Sequence, residues 1–182
     1  MTTLTGIVLA AGAGSRLGRP KALMRTADGE PWVERAARLL HASGCARVLV
    51  VLGAAAEQAT TLVPVGNEIL VVEHWADGMG ESLRAALAAA DGDAALITLV
   101  DLPDLPIAVA SRMLAEPVTR HTLKQAVFDG RPGHPVLIGR AHWAGVASTL
   151  VGDRGARDYL VAHDAIEVEC SDLFDGHDID RL

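Results

Sequence analysis

Aromatic residues are scarce, with two Phe, one Tyr and three Trp among 182 residues. So few large rings do not suit an aromatic-filled β-sandwich, whereas abundant alanine suits helices packed closely on a sheet. Cysteine is nearly absent. Cys45 and Cys170 match no short-spaced metal motif, so a zinc-built or disulfide-stapled fold is disfavoured and two buried free thiols are expected. The seven histidines show no His-x-x-x-His spacing. No apolar run approaches membrane-spanning length and no basic segment leads into a hydrophobic signal, so no membrane is implied and the cytoplasm is the expected location. Positive charge is also in deficit. A formal net charge of −7 gives no general electrostatic reason to bind nucleic acid, so any cationic site has to be local.

What is present is a regular alternation of apolar runs and helical periods. The length allows one substantial core and does not require two, so one domain over residues 1–182 is expected. Leu4 to Ala11, Val48 to Leu52, Glu68 to Val72 and Ala94 to Val100 read as strands. Between them, helical spacing runs from Pro31 through Leu40, from Ala54 to Val63 and from Ser82 to Ala90. Strands apolar on both faces suggest a parallel sheet covered by helices. Leu123 to Phe128 and His134 to Ile138 flank the turn-rich Asp129-Gly-Arg-Pro-Gly133, which predicts a hairpin-like excursion with one antiparallel strand. Further helices are expected from Pro106, from Arg140 to Leu150 and up to Val161, before a last strand at Ile166 to Cys170. The predicted architecture is a three-layer, Rossmann-like α/β domain with a mostly parallel sheet.

Leu9-Ala-Ala-Gly-Ala-Gly-Ser-Arg-Leu-Gly-Arg-Pro-Lys21 follows the first strand directly. Its glycines can present backbone N–H groups to an anion, and Arg16, Arg19 and Lys21 add local positive charge, so a phosphate-handling loop is expected. Gly12-x-Gly14-x-x-x-Gly18 is one residue off the usual dinucleotide spacing, and the second strand ends in Leu52-Gly53 without an acid for a ribose hydroxyl. Both points disfavour a nicotinamide or flavin dehydrogenase. The P-loop also fails, because Lys21 lacks the preceding glycine and following Ser or Thr. Asp101 follows another apolar strand, beyond whose carboxyl end ligands of open α/β folds collect, and is expected beside the opening glycine loop. Buried alone it would be costly, so Mg²⁺ or another partner is expected there. Trp75 and Met79 offer an apolar wall, and Gly78 and Gly80 permit close approach of a ligand. His134 is assigned mainly a structural role, with contact to a substrate phosphate as the alternative, while Asp153, Arg154 and Arg157 are candidates for orienting a phosphorylated acceptor. These parts suit attack by an acceptor phosphate on the α-phosphate of a nucleoside triphosphate, which needs charge neutralisation and placement more than a protein nucleophile.

The opening motif, together with Trp75-x-x-Gly-Met-Gly-x-Ser-Leu83, Leu99-Val-Asp-Leu-Pro103, Gly133-His-Pro-Val136 and Gly152-Asp-Arg-Gly-Ala-Arg157, resembles the molybdenum-cofactor nucleotidyltransferases. The resemblance is to the branch containing molybdenum cofactor cytidylyltransferase and covers nearly the whole chain. It implies that Ala10, Ala11 and Gly12 hold the base, that Gly14, Ser15 and Arg16 surround the triphosphate, and that Lys21 binds its charge. Arg16, Lys21 and Asp101 form the expected catalytic set, and Gly78, Gly80 and Ser82 complete the nucleotide side. Asp101 would hold Mg²⁺, with Asp180 in Asp178-Ile-Asp180 as a second metal ligand. Ala-Ala-Gly resembles the cytidylyl branch more than the Ala-Gly-Gly of the guanylyl branch. The implied reaction is therefore transfer of CMP from CTP to molybdenum-bound molybdopterin with release of pyrophosphate, and the implied protein partner is a molybdoenzyme or maturation factor in transient contact. The alternatives are the same chemistry with GTP or another nucleotide on a different phosphorylated acceptor, and a non-catalytic factor that binds and delivers the nucleotide or cofactor.

Overall fold

In β1 (Leu4–Ala10) alternate side chains point to opposite faces, and both faces are covered. Leu4, Val8 and Ala10 enter one core, while Ile7 and Leu9 enter the other. The rest of the computed structural model, which describes residues 2–15 and 17–179, extends this arrangement. The order is α1 (Trp32–Ala42), β2 (Arg47–Leu52), α2 (Ala56–Thr60), β3 (Glu68–Val71), α3 (Met79–Ala89), β4 (Ala94–Leu99), α4 (Ile107–Met113), β5 (Leu123–Phe128), β6 (Arg131–Gly139), α5 (Arg140–Thr149), α6 (Arg157–Ala162) and β7 (Ile166–Glu169). One sheet results, in the order β3-β2-β1-β4-β6-β5-β7.

Helix α1 buries Trp32, Val33, Ala36, Ala37 and Leu40, a stripe at helical spacing, on the first face. Close approach is possible because β1 carries Gly6 there; a Cβ at Gly6 would lie 2.9 Å from that of Leu40. Val109, Ala110 and Met113 of α4 cover the same face. Leu83, Ala86 and Leu87 of α3, Trp143 and Val146 of α5, and Tyr159 and Leu160 of α6 cover the other. This is the expected three-layer α/β arrangement. Among the described residues no helix is long and apolar enough to cross a membrane. Cys45 and Cys170 are separate buried thiols, and burial pushes Cys45 up to about 12.

Strand β6 runs antiparallel to both β4 and β5, whereas β1 to β4 are mutually parallel and β5 pairs parallel with β7. The reversal is made at Asp129 and Gly130, both at positive φ (51° and 71°), the backbone of a tight hairpin turn. Helix α2 is shorter than the expected 54–63 span because Gly53 bridges Ala55, which sits at φ 55° and delays the helix to Ala56.

Candidate active site

Strands β1 and β4 are parallel neighbours, and the chain runs on from β1 to β2 on one flank and from β4 to β5 on the other. Such a point opens a crevice beyond the strand ends. The register pairs Leu9 with Leu99, so the residues after them, Ala10 to Gly12 and Val100 to Asp101, emerge side by side. The Val100 N–H donates to the Leu9 carbonyl over 3.1 Å, and the Ala54 N–H donates to the Ala11 carbonyl over 2.9 Å. These bonds fix where the glycine loop begins. Gly14, at φ 60°, then turns the chain back on itself so tightly that a Cβ would lie 2.0 Å from the Arg19 carbonyl oxygen. Gly12 lines the crevice, and a Cβ added there would meet nothing within 4 Å.

The crevice is about 460 Å³ and is lined by Leu9 to Ser15, Lys21, Trp75, Ala76, Gly78, Met79, Ser82, Leu99 to Asp101 and Asp153. It therefore brings together Ala10, Ala11, Gly12, Gly14, Ser15, Lys21, Gly78, Ser82 and Asp101 from the sequence-expected set. Gly80 lines no part of it. This residue is buried in α3, where a Cβ would lie 3.0 Å from the Gly152 carbonyl oxygen, so it serves the approach of two segments. Arg16 and Asp180 lie outside the described residues. Arg19 directs a guanidinium N–H to the Leu23 carbonyl over 3.0 Å and holds the following turn.

Asp101 is the electrostatic centre. Its side chain is 8% exposed and pairs through Oδ2 with the Lys21 ammonium, itself 17% exposed. Burial raises the Asp101 carboxyl above the usual carboxylate range, opposed by the hydrogen bond and charge of Lys21; the Asp178 carboxylate adds to the rise. The other oxygen, Oδ1, is buried without a hydrogen-bond partner. A buried acceptor left unsatisfied costs roughly 1–3 kcal/mol, more when charged, and is a position where a cation repays the cost. Among the described residues no three His, Cys, Asp or Glu side chains gather into a metal cage. One carboxylate oxygen fits the way Mg²⁺ is commonly held, by one or two carboxylates with phosphates and waters completing the shell.

A second cavity of about 230 Å³ adjoins the first, sharing Leu9, Met79 and Asp153 with it. Its floor is apolar, from Leu83, Ile97, Val136, Ile138 and Leu160. Gln125, His134, Arg154 and Arg157 supply its polar groups. Burial pushes His134 down to about 4, against the pull of the Asp178 carboxylate, so the imidazole is neutral near neutral pH. Between the cavities, the Met79 N–H donates to the Asp153 carboxylate over 3.2 Å. Gly78, at φ 116°, presses against Gly152. The sequence flagged Arg154 and Arg157 but missed Gln125, whose one signal is a polar residue between Lys124 and the apolar Ala126-Val-Phe128. His134, assigned mainly a structural role, stands in the cavity wall.

Several known proteins are similar to this chain. Nicotine blue oxidoreductase of Paenarthrobacter nicotinovorans is 38% identical over 190 residues, covering 98% of this chain and 93% of that protein. The probable molybdenum cofactor guanylyltransferase of Mycobacterium tuberculosis H37Rv is 30% identical over 171 residues, covering 93% and 85%. The crystal structure of Rv0371c from the same organism superposes with a TM-score of 0.78 at 28% identity, over 92% of this chain and 88% of that one. Its complex with manganese gives 0.75 at 24% over the same shares. Residues 6–166 match the MobA-like NTP transferase domain, and the chain belongs to that family of nucleotidyltransferases.

Proposed function

We propose that this chain joins a nucleoside monophosphate to a phosphorylated acceptor, with GTP as the first donor to test, CTP as the second, and molybdopterin as the first acceptor. The observation that carries the reading is the buried Asp101 Oδ1, which has no hydrogen-bond partner, on a residue that lines the same crevice as the glycine loop and Lys21. GTP is placed first because the mycobacterial relatives are named guanylyltransferases, although Ala10-Ala11-Gly12 resembles the cytidylyl pattern.

In this reading an acceptor phosphate oxygen attacks the α-phosphorus. A new P–O bond forms as the bond to the β-phosphate oxygen breaks, and pyrophosphate leaves with the electron pair. Backbone N–H groups from Ala11 to Ser15 hold the triphosphate, and the Lys21 ammonium offsets charge on its oxygens. Asp101 Oδ1 would hold Mg²⁺, which when bound supplies further neutralisation of the phosphates. Residues 10–12 present backbone groups to the base, and the second cavity takes the acceptor, whose negative group meets Arg154 or Arg157. The shared wall at Leu9, Met79 and Asp153 sets donor and acceptor next to each other, where placement itself lowers the barrier.

The deciding experiment pairs GTP, CTP, ATP and UTP with molybdopterin and with simpler phosphorylated acceptors and scores pyrophosphate release. Acceptor-dependent release with one nucleotide supports transfer. Binding without turnover would assign delivery in place of catalysis. A second reading, an oxidoreductase, rests on the 38% identity over 98% of the chain to a protein of that name. Consumption of NADH or NADPH with an electron acceptor, without pyrophosphate release from any triphosphate, would favour it.

A further inference from the structure

Lys21 and Asp101 are 80 residues apart in the chain, yet their charged ends meet in the crevice wall, where the contact offsets part of the cost of burying the Asp101 carboxylate. The backbone of Lys21 is fixed: it begins a short 3-10 turn in which the Met24 N–H donates to the Lys21 carbonyl and the Ala22 side chain is buried. Movement of the ammonium toward a ligand would therefore come from the flexible four-carbon stem of Lys21. The two carboxylate oxygens of Asp101 differ sharply, since Oδ2 is taken by Lys21 and Oδ1 is bare. A divalent cation arriving alone at Oδ1 would stand one carboxylate's width from an ammonium in a poorly solvated site, where like charges repel strongly. A triphosphate changes the sign of that meeting, because its oxygens lie between the two cations.

We propose that Lys21 is a resident counter-ion that holds Asp101 against a divalent cation until a triphosphate arrives, so that metal binding is conditional on nucleotide. This rests on the reading of the crevice as a triphosphate and cation site. The Lys21 ammonium then leaves Asp101 Oδ2 for the phosphates when the nucleotide binds. The nucleotide-free protein keeps the Lys21–Asp101 contact in place of a loaded metal centre.

The test is Mn²⁺ binding to the nucleotide-free protein, followed by the paramagnetic resonance signal of the free ion. Lys21→Gln, which retains a donor for Oδ2 and loses the charge, is expected to bind Mn²⁺ about 10-fold or more tighter than wild type. Lys21→Arg should stay within about twofold of wild type, since it keeps the charge. Asp101→Asn combined with Lys21→Gln should abolish the gain, tying it to Asp101. Equal Mn²⁺ affinity of folded Lys21→Gln and wild type would overturn the proposal. A reading on the wild type stands beside it if the variant does not fold. The Lys21 side-chain nitrogen resonance should stay put with Mg²⁺ alone and move when the α,β-methylene analogue of GTP or CTP is added with Mg²⁺. Displacement by Mg²⁺ alone would overturn the proposal. Tighter Mn²⁺ binding by Lys21→Gln without triphosphate turnover in wild type would leave the counter-ion standing and remove the transferase reading. Turnover with unchanged Mn²⁺ affinity would do the reverse.

Discussion

The backbone N–H of Ile179 donates to the carbonyl oxygen of Asp101 over 2.9 Å, fastening the C-terminal segment to the residue at the centre of the crevice. The segment reaches that point along a route held by Phe174, whose ring meets Phe128 edge-on, and by Gly176, where a Cβ would lie 2.4 Å from the same ring. Asp178 is thereby brought close enough for its charge to act on both Asp101 and His134.

Replacing Ile179 by Pro removes that N–H and leaves the Asp101 carbonyl without it. A loss of about 1 kcal/mol in unfolding free energy is expected, together with faster hydrogen exchange in the segment after Phe174. Urea midpoints and amide exchange measure the two effects. If the segment also positions the carboxylates, turnover falls further than the stability change alone would produce.

Asp101→Asn separates the chemistry from the fold. Burial disfavours the ionised carboxylate, so the neutral amide removes that cost while also removing the attraction between Asp101 and the Lys21 ammonium. These changes oppose each other, and the midpoint of unfolding is expected to shift by no more than about 1 kcal/mol. Pyrophosphate release should fall roughly 10²–10³-fold, the size of loss when one oxyanion contact is removed. Activity near wild type would remove Asp101 from the reaction.

The parts of this site that were legible in the sequence are those whose signal is local. An apolar run followed by Gly12-x-Gly14 marks a strand and its anion-facing turn, and Asp101 after Leu96-Ile-Thr-Leu-Val100 marks a strand end. Asp129-Gly130 announced the hairpin that makes β6 antiparallel, because two positive φ values suit those residue types. Contacts between distant segments carry no such signal. Neither the Lys21–Asp101 pair nor the Ile179–Asp101 bond leaves a periodicity. Gly80 looked like a ligand-facing glycine, since a glycine that admits a backbone and one that admits a ligand read alike. Gln125 faces the second cavity where the pairing of β5 with β6 slips between Gln125 and Val127, a shift that alternation along the strand does not reveal.

Three glycine substitutions distinguish roles that the sequence leaves merged. Gly78→Ala imposes a side chain at φ 116° and 2.5 Å from the Gly152 carbonyl carbon, and Gly14→Ala imposes one 2.0 Å from a carbonyl oxygen. Each should destabilise by roughly 1–3 kcal/mol. Gly12→Ala meets nothing within 4 Å and sits outside the positive-φ set, so its stability should stay within about 0.5 kcal/mol of wild type. Any weakening of nucleotide binding in Gly12→Ala then reports the crevice directly. Thermal melts alongside nucleotide titration of the three variants check the ordering.

His134 gives the protein a defined loss of stability in mild acid. Burial holds its folded-state value near 4, below the 6.5 of a free imidazole. Between those values the unfolded chain binds a proton that the folded chain refuses, so stability rises with pH across the window. The contribution of neutral His134 is complete above about pH 6.5 and declines as pH falls toward 4. Wild type should therefore lose up to about 3 kcal/mol through this group alone between pH 7 and pH 4. His134→Gln keeps a polar side chain in the cavity wall and cannot take up that proton. Urea unfolding of both proteins at half-unit steps should show a shallower pH dependence for the variant in this window and parallel curves above it. Identical slopes throughout would mean that the imidazole is as easily protonated in the folded protein as in water, and that the second cavity does not desolvate it.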